Sequence, residues 1–531
     1  MPIPQAQSAC LYEGAAAIDR TTVRMDAALE PVREGVLAML SFGEAQPCPG
    51  GAIARFRQNT AFSAERYVLS VGEGGVSVEV GGPEAAVHAA ATIAQLLAEH
   101  EGALPYCLVE DEPRFGWRGL LIDVCRHFFP METIMRLVDW MTYYKYNRLH
   151  LHLTDDQGFR FESEQFPLLN KVGSWRNSTL VKHNGRAEQD GIPHGGYYTK
   201  EELRALVRYA GARGIEIVPE IEMPGHALAI LAAYPERSCF QEPVEVATRF
   251  GVTDFSKKLF CAGDEKTDRF IRSLLDEVMG VFPFPYIHIG GDEALKEDWK
   301  RCKKCQSLRK AQGLTNEREL QGYFLNRMVA YLEQRGRRAI VWNDGLCDTL
   351  SSSAIAQDWT PFFIEGRGRT ARHIRAGGQA IMSAYLRVYY DLPYALIPLK
   401  ATYQYEPVFH NISGEQEGNI LGVEAAIWTE WIDTEEKLFF NTLPRLAATA
   451  ETGWTKRRTP YYAFLMRLKP HYDLYRRLGM TYARDVERPY SLWRRISGTW
   501  TFLRKETHAE LLEQTRRDSH GDQSKNNKSK R

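Results

Sequence analysis

Apolar positions in this chain fall into short runs separated by longer amphipathic stretches. Arg66-Tyr-Val-Leu-Ser-Val71 and Gly75-Val-Ser-Val-Glu-Val80 alternate with the two-residue period of strands. The alanine-rich stretch Pro83 to His100 reads as a helix, so residues 1–112 form a small α/β domain, ending at the acidic run Glu110-Asp-Glu-Pro113. From Phe115 a β-then-α rhythm begins. Trp117–Val124 and Arg148–Leu153 read as strands with a helix, Pro130–Tyr144, between them. Thr199-Lys-Glu-Glu202 is a capping box opening a helix to about Arg213. The strand Gly214–Glu220, the helix Asp264–Met279 and the strand Tyr286–Ile289 follow, then strands at Arg338–Trp342, Ala354–Gln357, Gln379–Ala384 and Ile420–Trp428. Strands separated by helices imply a parallel sheet. Eight such units fit a (β/α)8 TIM barrel over residues 113–490, with loops replacing some helices. A doubly wound sheet is the alternative, but no glycine-rich phosphate loop follows the first strand. The polar tail 506–531 is expected to be disordered.

Composition narrows the function classes. The 531 residues are 44% hydrophobic and 25% charged, ordinary for a globular protein. Lys+Arg and Asp+Glu both number 67, which argues against a nucleic-acid partner. No run reaches the roughly 18 apolar residues of a membrane span, and no basic-then-apolar leader opens the chain. No membrane partner is therefore expected. Nine cysteines without framework spacing point to free thiols in a reducing cytoplasm. Cys302 and Cys305 form a C-x-x-C with no second pair at zinc spacing, and helix packing accounts for it.

The active site of a barrel lies at the C-terminal ends of its strands, and unusual polar residues collect there. They are Arg126-His127, Asp155-Asp156, Glu220, Glu222 and His226, Asp292-Glu293, Trp342-Asn-Asp344, Trp359, Tyr389 and Asp391, and Trp428 with Glu430. Acids, one arginine and several tryptophans suit a sugar, which offers hydroxyls to charged groups and C–H faces to rings. Trp342, Trp359 and Trp428 read equally well as core residues. A metal site competes with the sugar site. His150-x-His152 resembles the opening motif of metal-dependent amidohydrolases, and period two puts both rings on one face. His226 and Asp344 would complete that ligand set. Against it, both histidines sit inside the strand and acids follow.

The segment His288-Ile-Gly-Gly-Asp-Glu293 ends a buried strand in two glycines and two adjacent carboxylates. Neighbouring acids repel, so one of them should hold its proton near neutral pH while the other stays charged. A solvated turn is the alternative for this segment alone.

Taken together, these blocks resemble glycoside hydrolase family 20, the β-N-acetylhexosaminidases. The matching motifs are Arg118–His127, Tyr146–Gln157, Pro219–His226 and His288–Glu293, extended by Gly422–Glu430 and Leu443-Pro-Arg-Leu-Ala447. The resemblance implies an exo-acting, retaining enzyme on terminal β-linked GlcNAc or GalNAc, with no cofactor and no metal. It implies Glu293 as general acid/base, Asp292 as the group that holds the substrate's 2-acetamido group, and Asp155 with His226 as a supporting pair. Tyr389 and Asp391 would contact the acetamide and a hydroxyl. Arg126 and Glu430 would grip the non-reducing end, and Trp342, Trp359 and Trp428 would enclose the sugar. Two departures stand out: Glu222 where the family usually has Asp, and Phe159 where Trp is common. A family-like barrel that binds sugar without turnover is the second reading.

Overall fold

Alternating side chains pleat the first segment into a six-stranded sheet. Its strands are β1 (Ser8–Ala16), β2 (Ile18–Met25), β3 (Ala52–Gln58), β4 (Tyr67–Gly72), β5 (Gly75–Val80) and β6 (Leu104–Asp111), in the order β1-β6-β4-β5-β3-β2. The computed structural model describes residues 1–484 apart from 43–50, 184–185, 251–257, 361–365, 409–411 and 413, with scattered positions between 491 and 499. The tail 506–531 lies outside the described residues.

The helix Pro83–Glu99 is buried from Ala85 through Leu97 without a solvent face. A helix apolar all round must be covered on all sides. Here the domain's own sheet covers one side and the helix Met131–Tyr143 of the next domain covers the other. Gln95, polar in that setting, is satisfied: its amide nitrogen donates to the carbonyls of Ile3 (2.7 Å) and Tyr143 (2.8 Å).

From Trp117 the chain closes a parallel barrel in sequence order. Its strands are β7 (Trp117–Asp123), β8 (Arg148–His152), β9 (Glu216–Glu220), β10 (Tyr286–His288), β11 (Arg338–Trp342), β12 (Ile355–Asp358), β13 (Ala380–Met382) and β14 (Ile420–Ile427), with β14 pairing back onto β7. The expected (β/α)8 barrel, with a small α/β domain before it, is what forms. Strand ends are trimmed where polar chemistry takes over. β10 stops at His288 because Gly290 turns to a φ of +64°. The capping box at Thr199 has both halves, and Asp264 caps the helix Glu265–Met279. Trp117, Val218, Ile340, Ile355 and Ile381 plug the barrel with apolar side chains.

Buried cations join the two domains, Lys145 among them. Lys145, fully buried, donates from Nζ to Asp111 Oδ2 (2.8 Å) and Tyr67 Oη (2.8 Å), and lies 4.5 Å above the Trp454 ring. Trp454 Nε1 donates to the other oxygen of Asp111 (2.9 Å). Asp111 belongs to the acidic run at the domain boundary, and it is an internal anchor rather than a solvated linker charge. Replacing Lys145 with Met leaves that carboxylate unpaired, which typically costs about 3–5 kcal/mol. Urea unfolding should show this loss, and the double variant K145M/D111N should recover part of it.

Candidate active site

Parallel pairing sets Asp123, His152, Glu220 and His288 side by side across β7 to β10. The result is a polar belt inside the barrel. Glu220 is wholly buried and collects four nitrogens: His288 Nδ1 at 2.6 Å, Trp342 Nε1 at 2.8 Å, His150 Nε2 at 3.2 Å, and His152 Nδ1. Burial works against its charge, but the three histidines outweigh it and hold the carboxyl well below the usual range. A second interior acid, Glu424, accepts from Trp117 Nε1 (2.9 Å) and Gln357 Nε2 (2.8 Å) and pairs with His150 Nδ1 (2.8 Å). Gly119 must lack a side chain here, because a Cβ would come within 2.2 Å of Glu424 Oε2. Burial lowers the affinity of the two histidines for protons, yet the carboxylates prevail: His150 is raised to about 9 and His152 to about 10.

The network continues toward the mouth. His152 Nε2 meets Asp155 Oδ2 at 2.7 Å, and Arg126 Nη1 meets the same oxygen at 2.9 Å. Asp155 Oδ1 lies 3.3 Å from His226 Nδ1, and the far side of that ring faces the acid pair. His226 Nε2 is 3.6 Å from Asp292 Oδ2 and 3.5 Å from Glu293 Oε2. Burial opposes the His226 imidazolium, but Asp155 and Asp292 hold it well above the ordinary histidine range. His226 and Glu293 both have left-handed backbones, with φ +47° and +43°. Non-glycine residues held there are strained, and such strain gathers at functional sites.

The two adjacent acids have unlike surroundings. The Asp292 side chain is 13% exposed and that of Glu293 33%. Burial, with Asp344 and Glu293 adding to it and His226 opposing it, pushes Asp292 up to about 8. Its Oδ1 has no hydrogen-bond partner among the described residues. Asp344 Oδ2 accepts the Glu293 amide (2.9 Å), and its Oδ1 accepts Trp359 Nε1 (3.2 Å). Neither carboxylate oxygen of Glu222 has a hydrogen-bond partner among the described residues, and burial together with Asp292 raises it well above the ordinary range. Gly290 leaves room for it, since a Cβ there would meet Glu222 Oε2 at 1.7 Å.

Aromatic rings line the opposite wall. Trp359 stacks on Tyr389 (6.4 Å, 23°), Tyr389 approaches Trp428 (6.3 Å), and Trp428 approaches Trp342 (5.9 Å). Arg126 sits 5.1 Å over the Trp428 ring. Tyr389 is anchored by a parallel bridge to Ala426 of β14, and half-buried Asp391 follows it. Glu430 lies just beyond β14, and burial, countered by Arg126, pushes it up to about 7.

The alternative metal set does not assemble. His150 and His152 pair with Glu424, Glu220 and Asp155, His226 groups with Asp155 and Asp156, and Asp344 bonds the Glu293 amide and the Trp359 indole instead. Sequence reasoning missed the roles of Glu424, His288 and Tyr385, whose ring lies 5.0 Å from Tyr389. A lone acid inside an apolar strand was the available signal for Glu424. It also missed the partners of the C-x-x-C: Cys239 and Cys261 lie beside Cys302 and Cys305.

Comparison with known proteins gives the family and the fold. Residues 115–457 match "Glycosyl hydrolase family 20, catalytic domain", and residues 5–112 match "Glycosyl hydrolase family 20, domain 2". A β-hexosaminidase of Porphyromonas gingivalis is 37% identical over 414 residues, covering 74% of this chain but 51% of its own length. One from Akkermansia muciniphila is 35% identical, covering 74% of this chain and 79% of its own length. The structure of an exo-β-N-acetylglucosaminidase from Vibrio harveyi with N-acetylglucosamine superposes with a TM-score of 0.78 at 27% identity, over 90% of this chain and 78% of that one.

The belt makes stability depend on pH. His150 and His152 bind protons more tightly folded than unfolded. Their stabilisation is complete below about pH 6.5, the unfolded histidine value. It is lost as pH rises through about 9 and 10. The thermal midpoint should fall between pH 6.5 and 10, and H152Q should start lower but fall less steeply over that range.

Proposed function

The chain belongs to glycosyl hydrolase family 20, and we propose that it is an exo-acting, retaining β-N-acetylhexosaminidase. Its substrates are terminal β-linked GlcNAc or GalNAc residues of oligosaccharides or glycoconjugates. The names of the relatives support this, as does the N-acetylglucosamine bound to the Vibrio harveyi enzyme. The observation that carries the reading is the adjacency of Asp292 and Glu293 in unlike surroundings. A retaining enzyme with a protein nucleophile needs carboxyls about 5 Å apart on opposite sides of the bond, whereas substrate assistance removes that need. Two neighbours at one strand end suit the second arrangement.

In this mechanism Glu293, the more exposed acid, donates its proton to the glycosidic oxygen as the bond to the anomeric carbon breaks. The substrate's own acetamide oxygen forms the new bond to that carbon, giving an oxazolinium ion. Asp292 accepts the acetamide N–H, and that donor offsets part of the desolvation that raises its pKa. Tyr389 bonds the acetamide oxygen, with Trp342, Trp359 and Trp428 around the methyl group and the ring. Water then attacks the anomeric carbon as its bond to the acetamide oxygen breaks and the acetamide re-forms, and gives its proton to Glu293, so configuration is retained. His226, linked to Asp155, keeps both acids in place and counters their repulsion. Arg126, Asp391 and Glu430 close the end of the site by binding hydroxyls, which gives exo action. The free cysteines fit a reducing compartment, and no described helix is long and apolar enough to cross a membrane.

Hydrolysis of an aryl β-N-acetylglucosaminide against the matching aryl β-glucoside tests the mechanism. Strong preference for the acetamido sugar is expected. Equal rates would sink substrate assistance, and sugar binding with no turnover would favour a binding barrel. Glu293→Ala should lower kcat on an unactivated glycoside by about 10²–10⁴-fold. The loss should shrink when the leaving group needs no proton. Full activity of that variant would remove Glu293 from its role.

A further inference from the structure

We propose that Cys239, Cys261, Cys302 and Cys305 bind one zinc(II) ion as a tetrathiolate, in a structural site apart from the reaction chemistry. The four sulfurs all lie within 4.8 Å of one another, three of the cysteines are buried and the fourth is half-buried. The separations decide the chemistry. Cys239–Cys305 and Cys261–Cys305 are 3.7 Å apart, and Cys261–Cys302 is 3.8 Å. A disulfide brings its sulfurs to about 2 Å. Four sulfurs at about 2.3 Å around a tetrahedral zinc are separated by about 3.8 Å. The observed spacing is therefore the edge of a zinc tetrahedron. No pairing into two disulfides brings all four into this arrangement, because Cys261 approaches both Cys302 and Cys305 equally closely.

The surroundings fit a thiolate centre. Cys302 stands at the position before the helix Lys303–Ala311, and Cys305 lies in its first turn, where backbone amides favour negative sulfur. Gly263 packs so closely that a Cβ would come within 2.3 Å of the Lys304 backbone.

The ligands come from three places in the chain, so the ion would tie together the segments behind the acid pair. Phe260, next to Cys261, donates its amide to the Pro224 carbonyl (3.0 Å), two residues before His226. Its own carbonyl accepts Trp299 Nε1 (2.9 Å), from the segment after Asp292 and Glu293. Cys261 N bonds the Arg237 carbonyl (2.9 Å). A zinc clip here would fix the loop carrying His226 against the loop carrying the acids.

Metal analysis of the whole protein, purified without chelator, tests the proposal. One zinc per chain is expected, released in proportion as an organomercurial titrates the four thiols. Replacing it with cobalt(II) should give the strong visible absorption of a tetrahedral thiolate site. C302S/C305S should lose the zinc and melt several degrees lower; if that variant fails to fold, the measurements on the native chain still decide. Metal-free protein with four freely alkylated thiols, a mass showing two disulfides, or stoichiometric iron in place of zinc would each overturn the proposal.

Discussion

A single buried carboxylate organises the mouth of this barrel. Glu220 sits where no water reaches it, and an isolated charge there would be intolerable. It is kept ionised because four nitrogens from four other positions converge on it: those of His150, His152, His288 and the Trp342 indole. Each of these groups then has its geometry set by Glu220. His152 is oriented so that its other nitrogen reaches Asp155. Asp155 in turn fixes Arg126 and His226, and Trp342 is held as one face of the aromatic wall. Loss of Glu220 would therefore release the belt and the loop groups that depend on it together.

The difference between Asp292 and Glu293 arises from backbone geometry more than from residue type. Gly290 and Gly291, both with positive φ, turn the chain so that Asp292 points inward while Glu293 stays nearer solvent. Asp344 holds the Glu293 amide from the next strand end. Burial, with the Asp344, Glu293 and Glu220 charges nearby, favours a proton on Asp292. Two acids adjacent in sequence acquire separate tasks because one is buried and the other stays open to solvent.

Part of this was legible from residue order. The period-two runs, the helix between Pro83 and His100 and the capping box at Thr199 are local signals, and each formed its element within a residue or two. The two acids after Gly-Gly were visible as a conflict with burial. Other features depend on residues distant in sequence. Glu424 and His150 are 274 positions apart, and Lys145 and Asp111 belong to different domains. The C-x-x-C read as ordinary helix packing because its companions come from 41 and 66 residues away.

The sequence by itself determined the order of elements, the count of barrel strands and the list of polar residues at their ends, because periodicity and turn chemistry are local properties of the chain. Tertiary structure alone decided which polar groups meet. It made Glu220 a hub, set Asp292 deeper than Glu293, turned Asp111 into an interdomain anchor and gathered four thiols. Those outcomes depend on burial and on charges brought together by barrel closure. Barrel closure fixes distances that no spacing along the chain encodes.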